Sequence, residues 1–155
     1  MEKFTYRTIN AGDYDQLFSL WKGRSGVGLS EADSRDSIIR YIHKNKGNSF
    51  AAFADDELIG SILAGDDGRR GYLHHLVVHP DYRRMGIGRT LVEKALNALD
   101  AQNIDKCHIF IFTDNEEGKA FWKRIGWEYR EDIAVMSCSL FRKGKKSVPD
   151  TQRTC

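Results

Sequence analysis

Cysteine is scarce in this chain of 155 residues: Cys107, Cys138 and Cys155 are an odd number, and no two form a Cys-x-x-Cys pair. That pattern argues against a disulfide framework and offers no zinc-ligand spacing, so no metal is expected and a reducing cytoplasm is the expected location. Also missing is any apolar run near the ~20 residues of a membrane span, and the first residues lead into no signal peptide. No repeat and no internal linker interrupt the chain. What remains is globular composition, 41% hydrophobic and 30% charged, at a length that buries one real core.

The net charge of +2 is unevenly spread. Residues 141–155, FRKGKKSVPDTQRTC, hold five Lys/Arg against one Asp, so this tail carries +4 and leaves −2 for the rest. The expected organisation is one domain over residues 1–141 and a basic, disordered tail over 142–155. A solvated tail is preferred over a nucleic-acid arm.

Residues 3–9 alternate like a strand. Tyr14, Leu17, Phe18 and Trp21 then form one helical stripe behind the capping candidate Asp13. A capping box at Ser30 and Asp33 opens a second helix through Ile38, Ile39 and Ile42. Residues 48–54 and 57–64 read as strands joined at Asp55-Asp56, and 72–79 as another. Leu91, Val92, Ala95, Leu96 and Leu99 mark a long helix, followed by an apolar strand at 106–112. Asp114 with Glu117 caps a short helix, and two last strands are expected at 127–132 and 134–140. The whole predicts a mixed α/β fold.

One stretch breaks the local rules. Residues 79–96 read HPDYRRMGIGRTLVEKAL, opening a helix with glycines and with arginines at its positive end. Glycine lets backbone N–H groups approach an anion, and a helix start presents unpaired N–H groups to it. A P-loop needs GxxxxGK[ST], and a dinucleotide fingerprint needs GxGxxG on the first βαβ unit; neither is present.

Residues 83–88, RRMGIG, resemble the R/Q-x-x-G-x-G/A pyrophosphate loop of the GNAT superfamily of N-acetyltransferases. About 30 residues on, Asn115, Phe121, Trp122, Gly126 and Trp127 keep the spacing of that superfamily's N-x₆-Y-x₃-G-F motif, with two aromatic substitutions. The resemblance implies the acyl-CoA N-acyltransferase fold, a central mixed, twisted sheet of about seven strands with about four helices. It implies acetyl-CoA as donor, held by Leu76, Val77, Val78, Arg83, Arg84, Met85, Gly86, Ile87, Gly88, Arg89, Thr90, Asn115 and Trp122. In such a site the pantetheine arm pairs with the backbone at Leu76 to Val78, Asn115 bonds to that arm, and a backbone N–H near Val78 faces the oxyanion.

An amine acceptor of pKa about 10.4 must lose a proton near pH 7, which calls for a base. His74 is the expected base and Tyr72 a relay partner. Strict alternation places Tyr72, His74, Leu76 and Val78 on one strand face and His75 on the other. Trp122 stands where related enzymes carry an acidic tyrosine, so the thiolate leaves unaided, Tyr129 substitutes, or the protein only binds acyl-CoA. Asp13, Asp15, Glu31, Asp33 and Asp36 are weighed as amine attractors, with helix-start and solubility roles preferred. The expected function is acetyl transfer from acetyl-CoA to a primary amine of a small molecule or a protein. The alternative is a non-catalytic acyl-CoA-binding module. Membrane and nucleic-acid partners are not expected, and the sequence leaves a homodimer open.

Overall fold

The computed structural model describes residues 3–140, so the expected basic tail lies outside the described residues. Nine regular elements follow in chain order: β1 (Thr5–Thr8), α1 (Tyr14–Trp21), α2 (Arg35–Lys44), β2 (Phe50–Ala54), β3 (Glu57–Asp66), β4 (Gly71–Val78), α3 (Ile87–Asp100), β5 (Cys107–Ile109) and α4 (Glu116–Arg124). The strands form one sheet in the order β1-β2-β3-β4-β5. The first four run antiparallel to their neighbours, and β5 joins β4 in parallel after the α3 crossover.

Two apolar layers flank the sheet. On one face Leu17, Leu20 and Trp21 of α1 and Ile38 and Ile42 of α2 pack on Phe53, Leu58, Leu63 and Val77. On the other, α3 buries Ile87, Leu91, Val92, Ala95 and Leu99 against Ile59, Ile62, Ala64 and Leu73. At about 1.5–3 kcal/mol for each fully buried Leu, Ile or Val, this stripe is the main anchor of α3. It also fixes where the N-terminus of α3 points.

Several expectations need correction. The sheet has five strands among the described residues, where about seven were expected. Residues 127–140 form none, and Ile133, Val135, Met136 and Leu140 stand 58%, 68%, 98% and 92% exposed. Alternation prepares a strand to pair, but a strand also needs a partner ladder, and none of the described residues supplies one. β5 covers only the start of the expected strand at 106–112.

Capping differs as well. Asp13 does not cap α1; it closes a capping box with Asn10 on the preceding turn and pairs with Arg7 at 2.8 Å. Ser30 and Asp33 do form the expected box, but on a short turn at Glu31–Asp33, and α2 itself starts behind Ser34. The cap of α4 is Asn115, whose side chain accepts from Gly118 N at 2.9 Å.

Candidate active site

The site begins with a defect in β4. Ser61 faces Val77 and Leu63 faces His74, so His75 and Leu76 together oppose Ile62 alone. This is a β-bulge, and His75 takes its positive φ of +49°. The bulge resets the alternation. His74 approaches Tyr41 of α2 at 6.4 Å between ring centroids, and His75 approaches Trp21 of α1 at 4.8 Å. Leu76 and Val78 pack instead with the α3 layer. The expected single face for Tyr72, His74, Leu76 and Val78 is therefore wrong, as is the placing of His75 opposite His74.

Just before the bulge, β4 and β5 part. Their pairing ends at Leu73 with Ile109, so the β4 edge from His74 to Val78 has no β5 partner. A cavity of about 620 Å³ fills the opening, bordered by both histidines, Leu76, Val77, Val78, Ile109 and Phe110. Asn115, Phe121 and Trp122 of the α4 region form its far wall.

The head of the cavity is the turn into α3. Arg84 has φ +60° and Gly86, at the N-cap of α3, has φ +82°. Left-handed residues in such a turn direct successive N–H groups inward as an anion nest, and the helix dipole adds to them. No acidic residue occupies the first turn of α3. A Cβ at Gly86 meets nothing within 4 Å, so space stands open there; one at Gly88 stands 3.4 Å from the Phe121 ring, so α4 closes over this helix end. Arg24, Arg83, Arg84, Arg89 and Arg124 border the cavity against Glu117. Arg89 is engaged by Glu93 at 3.0 Å, and Arg83 lies 3.9 Å from Glu117. The balance favours an anion.

Most of the expected set meets in one place: His74, Leu76, Val77, Val78, Arg83, Arg84, Gly86, Ile87, Gly88, Arg89, Asn115 and Trp122 all border the cavity. Three residues do not. Tyr72 stacks on Phe110 at 6.1 Å, Met85 points outward beside Lys3, and Thr90 donates its hydroxyl to Gly86 O at 3.1 Å. Tyr129 is also apart, its ring lying under Lys119 and Lys123. Trp122 packs edge-on to Trp127 at 4.7 Å and to Phe121 at 5.4 Å. Burial, with a smaller push from His75 and against an opposing pull from Asp33, holds His74 below the usual histidine range.

The acidic residues weighed as amine attractors are engaged elsewhere in part: Asp13 with Arg7, Asp15 with Arg35 and Asp33 with His75. Two contributors were missed from sequence. The loop Gly23-Arg24-Ser25-Gly26-Val27-Gly28 reaches the rim, where a Cβ on Gly26 stands 3.0 Å from Asn115 Nδ2. Its glycine density was the available signal. The other is Asp33 behind His75, which only the folded chain brings together.

A five-stranded mixed sheet among the described residues, splayed at β4/β5 under a glycine-nest helix start, makes a long cleft with an anion-favouring head. The chain belongs to the Acetyltransferase (GNAT) family, whose model matches residues 14–127. It is 27% identical to an acetyltransferase of Pectobacterium atrosepticum and 25% identical to one of Sodalis glossinidius. Each match covers 94% of this chain and 97% of the relative. The PaiA N-acetyltransferase of Thermoplasma acidophilum, solved in complex with coenzyme A, has the same fold. It superposes with a TM-score of 0.71 at 21% identity, over 84% of this chain and 92% of that one.

Proposed function

We propose that this protein transfers an acetyl group from acetyl-CoA directly to a primary amine of a small molecule or a protein. The observation that carries the reading is the open nest at Arg84 and Gly86, placed at the head of the β4/β5 splay. The cavity suits an elongated ligand with an anionic end. A pyrophosphate fits the nest and the arginines, and a pantetheine arm fits the unpaired β4 edge beside Leu76 to Val78. The coenzyme A in the Thermoplasma acidophilum relative supports the same ligand.

The chemistry needs a neutral amine, a donor for the oxyanion and an outlet for the thiolate. Deprotonating an amine of pKa about 10.4 at pH 7 costs about 4.6 kcal/mol, so a base from the β4 histidines is useful. Backbone N–H near Val78 serves the oxyanion. With Trp122 in the wall, the thiolate leaves without an enzymic acid, which a thiol of pKa about 8.5 permits.

An amine panel assayed by free-thiol release tests the reading. Amine-dependent thiol release is expected. Tight acetyl-CoA binding without thiol release for any amine would replace it with the acyl-CoA-binding module that Trp122 suggests.

A further inference from the structure

His75 is built into the fold more firmly than its neighbour. Its Nε2 lies 2.6 Å from Asp33 Oδ1, and the two side chains are only 12% and 9% exposed. The other oxygen of Asp33 accepts the Ser30 N–H at 2.9 Å, and Tyr14 donates its hydroxyl to Asp33 O at 2.7 Å. On the opposite side Trp21 stands edge-on to the imidazole. Trp21 Nε1 donates to Ser61 Oγ at 2.8 Å, and Ser61 Oγ donates to His75 O at 3.4 Å. The turn at Asp33 and α1 thus meet the ring, and Ser61 of β3 meets its backbone, which is left-handed, a conformation that costs a non-glycine residue about 1–2 kcal/mol.

The arrangement has a chemical consequence. Asp33 accepts at Nε2, which assigns the ring proton there and leaves Nδ1 with a lone pair. His75 is one of the residues that border the cavity, and its side chain keeps 12% exposure. When it takes a proton, the new charge lies beside a carboxylate already held by its own turn. His74 has no carboxylate among its hydrogen-bond partners in the described residues and stands between the rings of Tyr41 and Phe110. A charge there is expensive.

We propose that His75, not His74, takes the proton from the acceptor amine, with Asp33 as the positioning residue that holds Nε2–H and balances the charge. The inference rests on the acetyl-transfer reading above. One proton of the ammonium passes to His75 Nδ1, directly or through one water. The freed amine lone pair forms the C–N bond at the thioester carbon, the C–S bond breaks, and a second amine proton goes to the departing sulfur. His75 then returns its proton to solvent, so the products are amide, thiol and one proton.

The test is chemical rescue with the best amine from the panel. Glycine accepts a positive φ, so His75→Gly keeps the bulge and opens a hole beside Asp33. Its kcat should fall about 100-fold, the lower end for general base catalysis, while coenzyme A affinity by calorimetry stays within about twofold. Added imidazole should restore about tenfold of that loss, and the Asp33→Asn/His75→Gly double variant should not respond. Asp33→Asn alone, which leaves the bulge untouched, should lower kcat by roughly tenfold at unchanged coenzyme A affinity. Wild-type kcat in either single variant would overturn the assignment, as would rescue of His74→Gly but not of His75→Gly. A wild type that releases no thiol with any amine would overturn the transferase reading itself, a separate outcome.

Discussion

At His74 the protein keeps an imidazole where its charged form is disfavoured, first by burial and then by the neighbouring His75. Its folded pKa therefore lies below the unfolded value of about 6.5. The stabilising preference for the neutral ring is fully present above that value and is lost as pH falls through the folded pKa. Thermal melts of His74→Gln should accordingly show a shallower loss of Tm below pH 6.5 than the wild type; parallel curves would remove this role. Trp122 poses a question of chemistry at the same scale. If the thiolate needs no enzymic acid, Trp122→Phe keeps most turnover, because the edge-on packing against Trp127 survives. Trp122→Tyr then gains at most several-fold, well short of the ~10²–10⁴ of rate-limiting acid catalysis. A thousandfold loss in Trp122→Phe would mean that the indole N–H takes part.

Among the elements, the junction of β4 with β5 decides the shape of the site. The pair is closed by Gly71, whose added Cβ would stand 2.6 Å from Cys107 Sγ and 2.9 Å from Leu99 Cδ1. Gly71→Ala must displace the Cys107 thiol and the Leu99 methyl within the packed junction, an overpacking cost of about 2 kcal/mol that should lower Tm by roughly 4–8 °C. Because the splay opens from this closed end, coenzyme A affinity should fall with it. A variant with unchanged Tm and unchanged affinity would show that the junction yields freely. The turn into α3 is the complementary element: its apolar stripe sets the direction of the helix, and its first residues set what the helix end can bind.

Across the whole molecule, what was legible in the sequence was what local chemistry dictates. The tight turn into α3 could be read because two glycines at a helix start break the local propensity rule, and α3 because its stripe repeats at helical spacing. The order of elements through α4 followed from the same periodicities. What failed depended on partners. Alternation over residues 72–78 could not reveal a bulge that exists only opposite Ile62, so the two histidines were assigned to opposite faces. Residues 127–140 alternate well, yet the described residues offer them no ladder. Asp33 was legible as a cap but not as the partner of a histidine 42 positions away.

The proposed binding of pyrophosphate at the Arg84–Gly86 turn is tested by calorimetric titration of coenzyme A and of pantetheine, which lacks the pyrophosphate, into the wild type and Gly86→Val. A β-branched residue at φ +82° distorts the nest while the unpaired β4 edge at Leu76 to Val78 is left alone. Losing one or two charge-assisted hydrogen bonds, each about 1.5–3 kcal/mol, predicts that Gly86→Val binds coenzyme A at least about tenfold more weakly. Pantetheine affinity should be the same in both proteins. A folded Gly86→Val that binds coenzyme A as tightly as the wild type would contradict the account.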